Sequence, residues 1–242
     1  MQAIEIKGLT KRYGALTAVN GLSLSIGQGE LFSLLGINGA GKTTTVKMLS
    51  TLTAPTEGDA FLLGKSLRTE AADIKPLIAV SPQQSAVAPG LSVRENLALI
   101  CGVHGFSRQK TEESIASLAA RLGLDEVMER RAGKLSGGWQ RRLSIAMALI
   151  SEPKILFLDE PTLGLDVLAR SELWDLIRSL KGQVTILLTT HYMEEAEALS
   201  DRVAIMKDGR LLLCDTPEGI KREAGTDSFE QAFVAIVKGA KK

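Results

Sequence analysis

Residues 36–43 read Gly36-Ile37-Asn38-Gly39-Ala40-Gly41-Lys42-Thr43, and they follow a short apolar run that ends at Leu35. Glycines allow successive backbone N–H groups to point at phosphate oxygens without clashes from Cβ atoms. The helix that the spacing predicts over Lys42–Leu52 directs the positive end of its dipole at the same anion. In this pattern the Lys42 ammonium neutralises the β- and γ-phosphates, and the Thr43 hydroxyl binds Mg²⁺. The stretch therefore predicts a phosphate-binding loop between a buried strand and a helix.

A second motif, Ile155-Leu156-Phe157-Leu158-Asp159-Glu160, is an apolar run that ends in two carboxylates. A buried strand delivers such side chains to its carboxyl end, where ligands bind in open α/β sheets. We expect Asp159 to hold Mg²⁺ through its water shell. We expect Glu160 to act as general base for the attacking water, an effect typically worth ~10²–10⁴ in rate. Alone, such a pair is as often a solvated strand end, but beside the phosphate loop it indicates ATP hydrolysis.

A third motif, Leu135-Ser136-Gly137-Gly138, stands just before the helical run Gln140–Ile150. The serine hydroxyl, the glycine amides and the start of a helix together form a second potential anion site. A helix cap would explain these residues equally well if they stood alone. Their position about twenty residues before the acidic strand favours the anion site.

Outside these motifs, short apolar strands alternate with helices, which indicates an α/β fold with a largely parallel sheet. The predicted strands are Ala3–Ile6, Leu22–Ile26, Leu31–Leu35, Ala60–Leu63, Ile78–Val80, Ile155–Leu158 and Val184–Thr189, with a final hairpin of Val203–Met206 and Arg210–Cys214. Ser92–Ile150 repeats apolar side chains at helical spacing, which predicts a mostly helical insertion; further helices are predicted over Leu168–Leu180 and from Pro217 onward.

The composition limits the partners that the chain can have. It has 242 residues, 45% of them hydrophobic, and a formal net charge of +1 from 29 basic and 28 acidic residues. A nucleic-acid-binding protein usually carries a basic excess, so no nucleic-acid partner is expected. The short basic pairs are expected to be solvated; they are Lys11-Arg12, Arg141-Arg142 and Lys241-Lys242. Neither a secretory leader nor an apolar stretch of the ~20 residues that a membrane span needs is visible, so a cytoplasmic location is expected.

Taken together, these motifs resemble those of the ATP-binding subunits of ABC (ATP-binding cassette) transporters, in the same order and over essentially the whole chain. Gly36–Thr44 resembles the Walker A motif, Ile155–Glu160 the Walker B motif and Leu135–Trp139 the family signature. The resemblance implies a P-loop NTPase (RecA-like) core with an antiparallel β subdomain and an inserted α-helical subdomain. The chain is then one nucleotide-binding domain over residues 1–242, with the helical subdomain at about 84–152.

The resemblance also assigns roles to single residues. Gln83 is similar to the Q-loop glutamine, and the Pro82-Gln83 pairing favours it over the neighbouring Gln84. His191 resembles the switch histidine, and Tyr13 resembles the aromatic residue that stacks on adenine. The nucleotide contacts implied are Tyr13, Gly36, Asn38, Gly39, Ala40, Gly41, Lys42, Thr43, Thr44, Gln83, Ser136, Gly137, Gly138 and Asp166, the Mg²⁺ ligands are Thr43, Gln83 and Asp159, and the catalytic residues are Glu160 and His191.

Such a subunit is expected to work as a head-to-tail dimer, in which Ser136 and Gly138 of one chain close over ATP bound by the other. A homodimer is the simplest assembly, and a dimer with a related ATPase is the alternative. The resemblance further implies a transmembrane permease as partner and a peripheral position on the inner face of the cell membrane. The stretch Gly90–Ile100 is the expected docking groove.

Details of the sequence favour the drug- and antibiotic-exporter branch of the family. The turn at Thr51–Gly58 and the stretch Asp215–Glu218 resemble those of such exporters. Trp139 departs from the glutamine that is most frequent at the fifth signature position, and this branch tolerates apolar residues there. The alternatives are an importer ATPase, a soluble ABC-type ATPase acting on nucleic acid or ribosomes, and a regulator that uses ATP only to dimerise.

Overall fold

The structure is a computed structural model and describes residues 1–239, so the Lys241-Lys242 pair lies outside the described residues. The strands are β1 (Gln2–Tyr13), β2 (Leu16–Gly27), β3 (Leu31–Leu35), β4 (Glu57–Leu62), β5 (Lys65–Ser66), β6 (Ile78–Ser81), β7 (Ile155–Asp159), β8 (Thr185–Thr190), β9 (Arg202–Lys207) and β10 (Arg210–Asp215). The α-helices are α1 (Lys42–Leu49), α2 (Ala71–Ile74), α3 (Val93–Val103), α4 (Arg108–Leu122), α5 (Gly137–Leu149), α6 (Val167–Leu180), α7 (Met193–Leu199), α8 (Pro217–Glu223) and α9 (Phe229–Gly239).

The central sheet has the strand order β10-β9-β3-β8-β7-β6. All neighbouring pairs are parallel except β9 and β10, which form the predicted hairpin through Asp208 and Gly209. Both turn residues have positive φ, 49° and 76°, as a type I′ turn requires. Strands β3 and β7 are buried along their whole length, which is why they appear in the sequence as continuous apolar runs. Their carboxyl ends meet at one edge of the sheet, where both of the first two motifs lie.

A second, antiparallel sheet has the order β2-β1-β4-β5 and packs on one face of the core. Its buried side chains, among them Ile4 and Leu9, pack with Met48 of α1 and with Phe32 and Phe157 of the central sheet. Strands β1 and β2 are 12 residues each and much longer than the sequence predicted. Because polar residues and register shifts interrupt their alternation, only their most apolar segments were visible as strands.

Helices α3, α4 and α5 lie between β6 and β7. Their apolar faces share one core with the opposite face of the central sheet, through Leu97, Leu118, Leu143 and Leu158. Helix α3 starts at a capping box, in which the Ser92 hydroxyl and the Glu95 carboxylate each accept a backbone N–H of the other residue.

Several helices differ from the prediction. Helix α1 ends at Leu49 and not at Leu52, because Thr51 takes a left-handed conformation with φ 61° and starts a turn. The helices α2 and α7 were not predicted, since four to seven residues carry too few turns to show a helical period. Within residues 1–239, no helix is both long enough and apolar enough to cross a lipid bilayer.

Candidate nucleotide-binding and hydrolysis site

The glycine-rich loop between β3 and α1 is fixed by close backbone packing. A Cβ atom on Gly36 would lie 2.5 Å from the carbonyl oxygen of Met206, so this position has no room for a side chain. Gly41 caps α1 in a left-handed conformation with φ 99°, and a Cβ atom there would lie 2.5 Å from the carbonyl oxygen of Ala18. The β9–β10 hairpin supports the loop from outside, since the Gly209 N–H donates to the Ala40 carbonyl at 3.2 Å.

The Lys42 side chain is 5% exposed and curls back over the loop. Its ammonium donates to the carbonyl oxygens of Gly36 at 2.7 Å and Ile37 at 3.4 Å, and it lies 3.6 Å from Glu160 Oε1. Burial lowers the pKa of Lys42, while the charge of Glu160 and a hydrogen bond to it act in the opposite direction. The loop therefore carries a desolvated cation, which favours phosphate binding, and the Glu160 carboxylate lies beside it.

Asp159 ends β7 and accepts two hydroxyl donors on the same oxygen. The Thr43 hydroxyl donates to Asp159 Oδ1 at 3.2 Å, and the buried Thr189 hydroxyl of β8 donates to it as well. Hydroxyl and carboxylate oxygens are ligands that Mg²⁺ accepts in company with phosphate oxygens and water, so Thr43 and Asp159 could hold the ion. Among residues 1–239, no three His, Cys, Asp or Glu side chains group together as a metal site would require. Because Mg²⁺ takes six oxygen ligands and usually keeps several waters, a hydroxyl and a carboxylate fit an ion whose other ligands are phosphate oxygens and water.

Glu160 has a strained backbone and two polar partners. Its φ is 48°, in the left-handed region, and such strain costs about 1–3 kcal/mol in a non-glycine residue. The Glu160 N–H compensates by donating to both the carbonyl and the hydroxyl oxygen of Thr189, each at 3.1 Å. Glu160 as a whole is 8% exposed, and its Oε2 atom lies 3.0 Å from Nδ1 of His191. This geometry suits a general base whose orientation is fixed by β8 and the following histidine.

A cavity of about 690 Å³ joins most of the predicted residues, and this volume is typical of a small-molecule site. The predicted residues that line it are Tyr13, Asn38, Gly39, Ala40, Gly41, Lys42, Thr43, Thr44, Gln83, Glu160 and His191. Gly36 and Asp159 do not line the cavity but are hydrogen-bonded to Lys42 and Thr43, which do. Tyr13 is 48% exposed at the rim, where its ring could stack on a base.

The third motif lies apart from this cavity. Ser136 and Gly138 line a second, smaller cavity of about 260 Å³ together with Trp139 and Asp166. Ser136 occupies the N-cap position of α5 without a capping hydrogen bond from its side chain. The Asp166 carboxylate, by contrast, caps α6 by accepting the Ala169 N–H at 2.9 Å. One chain therefore does not bring Ser136 or Asp166 together with the phosphate-binding loop.

Sequence reasoning missed two residues that support the site. Thr189 is hydrogen-bonded to both Asp159 and Glu160, and the only sequence signal for this role is its place at the end of a predicted strand. Arg141 was predicted to be solvated, and this prediction is wrong, because it is 6% exposed. Its guanidinium donates to the carbonyl oxygens of Pro82 and Gln83, both at 2.6 Å. No local sequence signal announces this contact, which joins segments far apart in the chain.

A glycine-rich loop with a buried lysine, a carboxylate pair and a histidine at one edge of a parallel sheet define a P-loop nucleoside triphosphatase. Comparison with known proteins gives the family. Residues 19–163 match the family model described as ABC transporter. The chain is 42% identical to a Nod factor export ATP-binding protein I of Burkholderia orbicola over 94% of this chain and 75% of that protein. It is 39% identical to the daunorubicin/doxorubicin resistance ATP-binding protein DrrA of Streptomyces peucetius over 93% of this chain and 69% of that protein.

A solved ATP-binding subunit of an ABC transporter superposes with a TM-score of 0.84 at 28% identity, covering 97% of this chain and 99% of that one. The chain belongs to the ABC transporter family and is an ATP-hydrolysing subunit of it. The predicted fold class, a P-loop core with an antiparallel β subdomain and a helical insertion, is confirmed.

Proposed function

We propose that this ATPase drives a separate membrane permease in the direction of export, and that two copies enclose ATP head to tail. One observation carries the proposal. The cavity that contains the phosphate loop, Glu160 and His191 is separate from the cavity that contains Ser136 and Gly138, although both are built to hold anions. A second chain, either a copy or a related ATPase, supplies the missing half of each site.

Within the first cavity, each group has a distinct task toward ATP. Tyr13 stacks on the adenine, a contact worth roughly 1–3 kcal/mol by analogy with bases on aromatic side chains. The N–H groups of residues 38–44 and the Lys42 ammonium hold the phosphates. Glu160 takes the proton of the attacking water, and His191 contacts the γ-phosphate through its second ring nitrogen. Their 3.0 Å contact fixes both side chains relative to each other.

Thr43, Asp159 and Gln83 hold Mg²⁺ in this proposal. When bound, the ion neutralises the charge on the β- and γ-phosphate oxygens. The hydrogen bond between Thr43 and Asp159, at 3.2 Å, supports the assignment because it puts both oxygens within reach of one small ion. Gln83 faces the same cavity from the segment after β6.

The partner chain contributes Ser136, Gly137 and Gly138 to the bound nucleotide, with Asp166 beside them. The Ser136 hydroxyl makes no capping bond and can therefore donate to a phosphate of the neighbouring copy. ATP then joins the two chains, and its hydrolysis separates them, which converts phosphate chemistry into a large motion.

Residues of about 84–152 form the helical subdomain that receives the permease at the inner face of the membrane, with Gly90–Ile100 as the docking groove. The export direction rests on the likeness to the Nod factor export and daunorubicin resistance proteins.

Glu160→Gln tests the catalytic assignment and the dimer together. We expect turnover to fall by about 10²–10⁴ and an ATP-bound dimer to accumulate in size-exclusion chromatography. Glu126→Gln, which changes an exposed glutamate of the helical region, is the matched control and should alter neither property. Unchanged turnover in Glu160→Gln would refute the base assignment. Adding Ser136→Arg to Glu160→Gln should abolish the dimer while each chain still binds ATP.

The permease and the direction need a membrane assay. The tagged chain, extracted in detergent, should retain a polypeptide with several membrane-spanning segments that stimulates its ATPase activity. In inside-out vesicles that contain both chains, ATP should drive a lipophilic drug such as daunorubicin into the lumen. ATP-dependent loss of the drug from the lumen would indicate import instead.

A further inference from the structure

Arg141 is a buried arginine on the first turns of α5, five residues after Ser136. Its guanidinium donates to the carbonyl oxygens of Pro82 and Gln83, both at 2.6 Å, and to that of Glu160 at 3.5 Å. All three acceptors are main-chain atoms, and two of them belong to Gln83 and Glu160, which line the nucleotide cavity. The two short bonds hold the backbone just after the end of β6, where Gln83 reaches the cavity.

A second contact links the same two segments one turn further along the helix. The hydroxyl groups of Ser81 and Ser144 are hydrogen-bonded at 2.9 Å, and both residues are buried. Ser144 and Arg141 are three residues apart and so share one face of α5. Helix α5 and the segment Ser81–Gln83 are therefore joined at two successive levels.

The chemistry of a guanidinium explains why this position holds arginine. Its planar fork presents several donors in a fixed geometry and holds two neighbouring carbonyl oxygens with separate nitrogens, whereas a lysine ammonium is a single donor atom on a flexible stem. Burial lowers the pKa of Arg141, and the charges of Asp159 and Glu195 act in the opposite direction. Arginine nevertheless stays protonated in proteins, so the two bonds are charge-assisted and stronger than neutral ones.

We propose that Arg141 is a positioning residue that connects α5 to Gln83, so that closure of Ser136 on a nucleotide sets the position of Gln83 in the nucleotide cavity of the same chain. The inference rests on the proposed roles of Gln83 and Ser136. Arg141 lies on α5, the helix that Ser136 precedes as N-cap residue, and the two 2.6 Å bonds connect its guanidinium to the carbonyl oxygens of Pro82 and Gln83.

Arg141→Lys tests this role because it keeps the charge but removes the fork. A misplaced reacting group costs on the order of 10²-fold in rate, so we expect kcat to fall by about ten- to a hundredfold. The Mg²⁺ concentration for half-maximal activity should rise, while the affinity for ATP in the absence of Mg²⁺ should stay within about threefold of wild type, because the phosphate loop is untouched. Arg141→Gln, which does not bury an unpartnered ammonium, should give the same pattern.

Arg68→Lys is the matched control. Arg68 also donates to two main-chain carbonyl oxygens, of Gly58 at 2.7 Å and Thr56 at 3.2 Å, but it stands outside the nucleotide cavity beside β5. We expect this variant to keep wild-type kcat, Mg²⁺ dependence and ATP affinity. A wild-type protein without ATPase activity would refute the proposed function itself, whereas an active wild type with unaltered Arg141 variants refutes only this inference.

A double-mutant cycle separates positioning from general stability. If Arg141 acts through the Gln83 side chain, Arg141→Lys should lower kcat by no more than about twofold in a Gln83→Ala background. Multiplicative losses in the double variant would overturn the proposal. So would a loss of ATP affinity that equals the loss of kcat in Arg141→Lys, since that result describes a damaged fold.

Discussion

Thr189 offers the sharpest test of the hydrolytic geometry, because one hydroxyl serves both carboxylate residues. It donates to Asp159 and accepts the N–H of Glu160, and the residue is fully buried. Thr189→Val keeps the shape of the side chain and removes both bonds. Losing a hydrogen bond to a charged group costs about 1.5–3 kcal/mol. The second loss adds little, since the Glu160 N–H keeps its bond to the Thr189 carbonyl.

The expected total is about 2–3 kcal/mol, which for a chain of this size lowers Tm by about 4–12 °C. We also expect kcat to fall by about tenfold or more, because Asp159 and the strained backbone of Glu160 lose a common support. Calorimetry and a phosphate-release assay measure the two effects. Thr189→Ser is the control, since it retains the hydroxyl and should retain activity. A Thr189→Val protein with wild-type Tm and kcat would show that the hydroxyl supports neither carboxylate.

Gly36, Asn96 and Glu195 each allow a further test. Gly36→Ala forces a Cβ atom to within 2.5 Å of the Met206 carbonyl oxygen, so ATP binding should be lost in a fluorescence titration; Gly102→Ala, in open space on α3, should instead stabilise by up to about 1 kcal/mol. The buried Asn96 amide bonds Ala88 and Ser92, so Asn96→Ala should lower the free energy of unfolding by about 2–4 kcal/mol in urea. Burial raises the pKa of Glu195, so the folded protein holds a proton that the unfolded chain releases, and stability falls as pH rises through that range. Glu195→Gln should therefore gain stability relative to wild type as the pH rises above the ordinary glutamate pKa of about 4.3, and a constant difference would contradict the raised pKa.

The core of the fold could be predicted because its strands are buried on both faces. Leu31–Leu35 is apolar except for Ser33, and Ile155–Asp159 is apolar up to its final aspartate, so sequence alone marked their place and their ends. The antiparallel sheet was visible only in part. Residues of β1 beyond Ile6 alternate irregularly, since register shifts against β2 break the period. Their pairing depends on a partner strand and not on local composition.

The candidate site likewise combines residues that the sequence predicts with residues that it does not. The phosphate loop and the carboxylate pair are continuous segments whose chemistry can be inferred from their residue types and order. Arg141 is different, because a buried cation needs acceptors, and those acceptors are the carbonyl oxygens of Pro82 and Gln83, 59 and 58 residues earlier. Main-chain acceptors carry no residue identity. Such acceptors therefore cannot be recognised from the sequence, and a basic pair is interpreted as solvated by default.

Trp139 can be understood from the same structure. Its indole packs against the core that α3, α4 and α5 share with the central sheet, and the guanidinium of Arg142 lies 4.8 Å from the ring centroid. The anion-binding groups that we propose for the motif are the Ser136 hydroxyl and the amides that follow it, and none of them belongs to the side chain at position 139. Trp139 therefore shapes the rim of the second cavity and leaves the proposed phosphate donors in place. The contact of the Arg142 guanidinium with the indole, worth about 0.5–1 kcal/mol at such a site, helps to orient this aromatic rim.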